Sequence, residues 1–350
     1  MKKAKNILAL LMALSLTLLS LSGCAQYEPN EVLYVYNWGE YMDESVNEIF
    51  EQETGIKVVY KIYDNNESMY AVLKNSPETY DVVFPSDYMV GRMIKEGLLA
   101  EINYENVPNA QYIMKDFQHL NYDPEDRYSI PYTWGTLGIL YNTKYVKEEP
   151  ASWEALWDAQ YAGKILMYNN SRDTLGVALL KEGYSLNTTD EQELKAAAEE
   201  LIEQKPILQA YVSDEIFSKM ESGAAVMAPA YAGDALSMIG ENPDLAFTIP
   251  KEGTNRFIDC MCIMKDARNK EAAEKYLDFL CREDIAELNR AFTAYSTPQQ
   301  QVYDSLPEEE QQDPISYPEA AVLRRTEIYT NLPEETLLLY NSLWNKLKNA

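Results

Sequence analysis

Short apolar runs with the two-residue period of a strand alternate along this chain with stretches that repeat every three to four residues. Val32–Val35 reads as a strand, Met42–Thr54 as an amphipathic helix and Ile56–Tyr63 as a second strand. Ser68–Lys74 reads as a short helix, Tyr80–Phe84 as a buried strand stopped by Pro85-Ser86, and Met89–Glu96 as a helix closed by Gly97. This β-α-β-α order implies an α/β fold with a mostly parallel sheet and helices on both faces. The later part of the chain repeats the style. Helices are expected over Trp153–Tyr161, Thr174–Glu182, Glu191–Gln204, Ile216–Ser222, Ala232–Ile239, Asn269–Leu280 and Leu337–Leu347. Strands are expected over Gly163–Tyr168, Ala224–Ala228, Leu245–Pro250 and Phe257–Met264, with Pro307–Asp313 as an acidic surface connection. No internal repeat interrupts the pattern, and the length suggests two domains.

The first residues stand apart from this pattern. Lys2, Lys3 and Lys5 precede an apolar run from Ile7 to Leu21, which is too short for a permanent membrane span. The run ends in Leu21-Ser22-Gly23-Cys24, the form of a bacterial lipobox, in which the signal is cut before a cysteine that is then lipidated. Residues 1–23 are thus expected to be a lipoprotein signal peptide, Cys24 a lipidation site, and 24–31 a tether on the outer face of the cell membrane. Losing the three lysines takes the formal charge from −26 to −29. So acidic a chain repels nucleic acid and anionic lipid headgroups and tolerates cations. Cys260, Cys262 and Cys281 read as small buried hydrophobes. With a single histidine, His119, and no paired Cys-x-x-Cys, a structural zinc site is not expected.

Chemistry gathers where strands end. The first strand runs into Tyr36-Asn37-Trp38-Gly39-Glu40-Tyr41, an indole, a carboxylate and a phenol before a helix. Ligands of open α/β sheets bind at the carboxyl ends of strands, and aromatic faces with nearby acids attract ammonium groups. Taken alone, these six residues fit ordinary packing at least as well. The same mixture recurs, however, at Pro85-Ser86-Asp87-Tyr88, at Asn169–Asp173, at Pro229–Asp234, at Phe257-Ile258-Asp259 and at Thr293–Pro298. Several such ends, none contributing cysteine or histidine, point toward a trap for a small organic cation. Gly-x-Ser-x-Gly, His-Glu-x-x-His and phosphate-loop motifs are missing. A surface hydrolase using paired carboxylates remains the alternative of a different class.

The sequence resembles the spermidine/putrescine-binding lipoproteins of bacterial polyamine ABC transporters. The resemblance covers Leu33 to Leu347. It rests on Leu33–Trp38, Glu53–Val58, Tyr80–Ser86, Ser129–Gly135 and Ser152–Trp157. It implies a two-lobed periplasmic-binding-protein fold of type II, with lobe 1 from 32–134 and 260–303, lobe 2 from 135–259 and 304–350, and a ligand cleft between them that closes by a hinge. It implies a binding protein and not an enzyme, without cofactor or metal, monomeric, working with the permease subunits of an ABC transporter.

Carried over by position, Trp38 would stack on the carbon chain of the ligand, with Glu40 and Tyr41 beside one terminal amine. Ser86 and Tyr88 would supply hydrogen bonds and an aromatic wall, and Asp173 would pair with an amine. Tyr231 and Phe257 stand where tryptophans are usual, Asp259 is retained, Asp234 matches an acid of the putrescine-preferring branch, and Tyr295 matches a family tyrosine. The chain departs from the spermidine pattern at Asn170, Gly39 and Thr330, which leans the expectation toward putrescine. Trp134, Trp153 and Trp157 are assigned to packing and His119 to the surface. Another ligand on the same fold, such as ferric iron, a sugar or an amino acid, is the second alternative. An amino acid would need a base, for which Arg172 and Arg256 are candidates.

Overall fold

A computed structural model describes residues 32–350; the signal segment, Cys24 and the tether lie outside the described residues. Ten strands form one curled sheet. They are β1 (Val32–Trp38), β2 (Lys57–Tyr63), β3 (Val82–Val83), β4 (Ser129–Asn142), β5 (Ile165–Tyr168), β6 (Leu208–Val212), β7 (Met227–Tyr231), β8 (Leu245–Thr248), β9 (Thr254–Ile263) and β10 (Thr326–Glu327). Their order is β2-β1-β3-β9-β4-β7-β5-β6, with β8 on β4 and β10 on β9.

Pairing is parallel in the outer groups, β2-β1-β3 on one side and β7-β5-β6 on the other. It turns antiparallel at β9 and β4, so the sheet is mixed at its centre. These two strands join the halves. β4 lies against β9 over Ser129–Thr136, then against β7 and β8 over Leu137–Asn142. β9 pairs with β3 near its far end, through Cys262 and Ile263.

Helices cover the sheet: α1 (Glu44–Thr54), α2 (Asn66–Asn75), α3 (Asp87–Lys95), α4 (Ser171–Lys181), α5 (Glu191–Gln204), α6 (Glu215–Glu221), α7 (Ala232–Glu241), α8 (Lys270–Leu280), α9 (Glu283–Thr293) and the closing α10 (Glu334–Asn349). Each start has a local cause. Asp43 caps α1 by accepting from the Ser45 amide at 2.8 Å, and Asn65 caps α2 by accepting from the Ser68 amide at 2.9 Å. Gly55, at φ 75°, ends α1 in the left-handed conformation that glycine adopts without strain. The buried stripe of α1 sets Phe50 edge-on to Tyr276 and Phe279 of α8. At the other end of the molecule α10 packs on α4 and α5. There Lys205 Nζ donates to the last backbone carbonyls of the chain at 2.9–3.0 Å.

Several expectations shift. Trp153–Tyr161 forms two 3-10 turns rather than one helix, restarted at Asp158, whose side chain accepts from the Gln160 amide. The strand expected over Ala224–Ala228 runs from Met227 to Tyr231, which places Tyr231 at the strand end. β4, β6 and α9 were not legible as elements. All fourteen residues of β4 are buried, so no polar alternation marks it. Gly135 also interrupts its apolar run, and a side-chain carbon there would lie 2.8 Å from the Phe257 ring. Cys260, Cys262 and Cys281 are buried free thiols.

Candidate functional site

The turns after β1, β3, β5 and β7 meet the middle of β9 at one cavity of about 150 Å³. All eleven site residues expected from the sequence line it: Trp38, Glu40, Tyr41, Ser86, Tyr88, Asp173, Tyr231, Asp234, Phe257, Asp259 and Tyr295.

Asp259 sits on β9 at the centre, 5% exposed. Its two oxygens are held separately. Ser86 Oγ donates to Oδ1 at 2.5 Å, and the Tyr41 hydroxyl donates to Oδ2 at 2.5 Å. Thr133 Oγ1 lies 2.5 Å from the same Tyr41 hydroxyl, and Asn66 Nδ2 donates to Ser86 Oγ at 3.0 Å. Burial raises the carboxyl to about 6, against the opposing pull of the Ser86 and Tyr41 donors. Asp234, in the first turn of α7, receives the Tyr295 hydroxyl at 2.6 Å. Withdrawal from water raises it to about 7, opposed by the Tyr295 donor and assisted by the like charge of Asp214. Tyr295 reaches Asp234 by lying flat on Gly233, where a side-chain carbon would come within 2.5 Å of the ring.

Asp173 is bound differently. Oδ2 accepts from the Tyr231 hydroxyl and from Asn170 Nδ2, and Oδ1 lies 3.2 Å from the Tyr329 hydroxyl, whose one proton is shared with the Arg172 carbonyl at 3.1 Å. Its carboxyl is raised by burial, opposed by the three donors and by the neighbouring Arg172 charge. Arg172 is the basic residue among those lining the cavity. It is 3% exposed, and Tyr88, Tyr329 and Tyr340 enclose its guanidinium at 5.3, 4.4 and 5.3 Å from their ring centres.

The walls are aromatic. Trp38 is fixed by its Nε1 donating to the Phe84 carbonyl at 2.8 Å and by the Tyr63 ring at 4.7 Å. Tyr41 stands edge-on to Tyr295 at 5.2 Å, Tyr295 edge-on to Phe257 at 5.8 Å, and Phe257 edge-on to Tyr231 at 5.3 Å. Tyr231 stacks on Tyr168 at 4.8 Å. Tyr88 donates to Glu67 at 2.9 Å and presents its ring to Tyr329 at 6.0 Å.

Glu40 is exposed, with φ 49°, and accepts no hydrogen bond among the described residues. Asp64 and Asp214 also line the cavity and are exposed, so this side of it is acidic. A side-chain carbon on Gly39 would lie 3.6 Å from Asp214 Oδ2.

Sequence reasoning passed over several members. Asp87 is fully buried and accepts from the Tyr88 and Ile258 amides at 2.6 and 3.1 Å; burial pushes its carboxyl well above the ordinary range. Its place in Pro85-Ser86-Asp87-Tyr88 was the available signal. Tyr329 arrives from the distant tail and had none. Thr330 is exposed and bonds to Asn187 instead of lining the cavity. His119 is paired with Asp126 at 2.9 Å on the surface. Trp134, Trp153 and Trp157 donate to the backbone carbonyls of Thr297, Gly253 and Glu200, away from the cavity. Among the described residues no cluster of three or more His, Cys, Asp or Glu is arranged to hold a metal, and no helix is long and apolar enough to cross a membrane.

A bacterial extracellular solute-binding protein family model matches residues 78–321, and a hypothetical lipoprotein family model matches 1–121. The spermidine/putrescine-binding periplasmic protein of Escherichia coli K12 is 35% identical over 93% of each chain. The putrescine-binding periplasmic protein SpuD of Pseudomonas aeruginosa is 33% identical over 96% of this chain and 97% of its own. A putative spermidine/putrescine ABC transporter structure from Listeria monocytogenes superposes with TM-score 0.88 at 37% identity, covering 91% of this chain and 99% of that one. The architecture is that of a type II periplasmic binding protein. The chain belongs to the bacterial extracellular solute-binding protein family.

Proposed function

We propose that this chain is the substrate-binding lipoprotein of a bacterial polyamine ABC transporter. It is anchored outside the cytoplasm through lipid on Cys24 and acts as a monomer without catalytic activity. Lobe 1 comprises 32–134 and 260–303, and lobe 2 comprises 135–259 and 304–350. They close over putrescine or spermidine by bending at the strands they share, and the loaded protein delivers its ligand to the permease.

One observation carries this reading. Asp259 and Asp234 line a single aromatic-walled cavity, both are raised by withdrawal from water, and neither has an ion-pair partner among the described residues. An uncompensated buried charge is costly, and a matching cation turns that cost into affinity. A polyamine carries ammonium groups for the acids and methylenes for the flat walls between them. The base that an amino-acid ligand would need, Arg172, is instead enclosed by three tyrosine rings.

The test is a thermal-shift panel of putrescine, cadaverine, spermidine, spermine, amino acids, sugars and ferric citrate. A ligand at a hundred times its Kd stabilises the folded state by about 2.7 kcal/mol. Polyamines are expected to raise the melting temperature. A shift confined to the other ligands would refute the assignment.

A further inference from the structure

The ladder between β3 and β9 continues past the end of β3. Beyond Val83 the Cys260 amide donates to the Pro85 carbonyl at 3.0 Å, and Ser86 stands opposite Asp259 in an antiparallel bridge. In an antiparallel pair the next bond falls two residues on along one strand and two back along the other, so the Ile258 amide is due at the Asp87 carbonyl. That carbonyl is lost to the ladder, because Asp87 is the first residue of α3. The side chain of the same residue takes its place. Asp87 Oδ2 accepts from the Ile258 amide at 3.1 Å, while Oδ1 accepts from the Tyr88 amide at 2.6 Å. Asp87 and Ile258 are both fully buried, where an amide left without an acceptor is costly.

The side chains on either side of this bond are cavity residues. Successive residues of β9 point to opposite faces, so Phe257 and Asp259 face the cavity and Ile258 faces away. Fixing the Ile258 amide fixes the peptide that joins it to Phe257 and the approach of Asp259 to Ser86. Ser86 is held separately by Asn66, which accepts from its amide at 3.2 Å and donates to its hydroxyl at 3.0 Å. We infer that Asp87 is a positioning residue for ligand capture: its side chain replaces a main-chain acceptor, joins the start of α3 to the centre of β9, and so keeps Asp259 at the Ser86 hydroxyl. It acts through Ile258 and not through contact with the ligand. The inference deepens the polyamine reading, in which Asp259 is an ammonium partner.

The first measurement is made on the unaltered, empty protein: an NMR scalar coupling across the hydrogen bond, between the Ile258 amide nitrogen and the Asp87 carboxyl carbon. It is expected to be present. Asp87→Ala then removes the acceptor. The apparent pKa of Asp259 is expected to rise by about 1 as the Ser86 donor loses its hold, with that of Asp234 unmoved. Putrescine and spermidine are expected to bind about tenfold more weakly in calorimetric titrations. Burial pushes the Asp87 carboxyl well above the ordinary range, so an uncharged amide of the same shape can serve as the acceptor. Asp87→Asn is therefore expected to keep polyamine affinity within about threefold of the unaltered protein. A missing coupling overturns the inference even where Asp87→Ala does not fold. So does a folded Asp87→Ala in which the Asp259 pKa is unmoved, or in which Asp259 and Asp234 move together as general loosening would make them. If the unaltered protein binds no polyamine, the polyamine reading falls; the coupling and the two pKa values, read on the empty protein, still decide the role of Asp87.

Discussion

Acidifying the solution should weaken ligand capture steeply, because ligand and protons compete for the same two carboxyls. In the empty cleft Asp259 titrates at about 6 and Asp234 at about 7. The ligand's ammonium groups, like a lysine side chain near pKa 10.4, stay charged throughout, so only the protein titrates. At pH 8 both acids are ionised and ready. At pH 5 a group titrating at 6 binds cation about tenfold less well, and one titrating at 7 about a hundredfold less well. Together the dissociation constant should rise by up to about a thousandfold between pH 8 and pH 5, or about 4 kcal/mol. Near pH 6.5 the two groups together hold about one proton, which the ligand displaces. Calorimetric titrations across this range, in buffers of different ionisation enthalpy, read both quantities. The empty protein should change in the opposite sense. A folded pKa above the unfolded value means that the folded state holds protons the unfolded chain releases, so stability contributed by these groups falls as pH rises from about 4 to about 7. A dissociation constant that holds within about threefold from pH 8 to pH 5, with no buffer-dependent heat, would refute the assignment of Asp259 and Asp234 as the ammonium partners.

Asp259→Asn should weaken polyamine binding by about 3 kcal/mol, near a hundredfold, by removing a buried charge partner. The same change spares the empty protein the burial of a charge, so its melting temperature should hold or rise; unchanged affinity, or a collapse in stability, contradicts the role given to Asp259. Gly233→Ala would drive a methyl to within 2.5 Å of the Tyr295 ring and displace the hydroxyl that holds Asp234. It should lower ligand affinity at least about tenfold, with the apparent pKa of Asp234, followed by NMR titration, moving further upward as its donor is lost; an unmoved pKa would show that Tyr295 does not hold that acid.

Much of the site was legible because its pieces are local. The period places a strand over Val32–Val35 and a helix over Met42–Thr54, which leaves Gly39, Glu40 and Tyr41 between them at a turn; the structure carries the strand on to Trp38 and starts the helix after Asp43. The bounds of α5, Glu191–Gln204, followed from a polar-apolar repeat on a surface helix. β4 escaped notice for the opposite reason. With β9 it is one of the two strands that join the halves, it is buried along its whole length, and its Gly135 makes room for Phe257. Nothing in its own neighbours states that requirement.

By itself the sequence determined the α/β order, the acidic surface and the meeting of aromatic and acidic residues at strand ends. Each depends on residues within a few positions of one another. The tertiary structure decided which acids stay open. Asp173, Asp234 and Asp259 are equivalent as letters, yet Asp173 is met by Asn170, Tyr231 and, from 156 positions away, Tyr329, with the Arg172 charge beside it, while the other two have no ion-pair partner among the described residues. Whether a buried carboxylate is a structural acid or a cation trap depends on the donors and charges within a few ångströms of it, and folding brings those from anywhere in the chain.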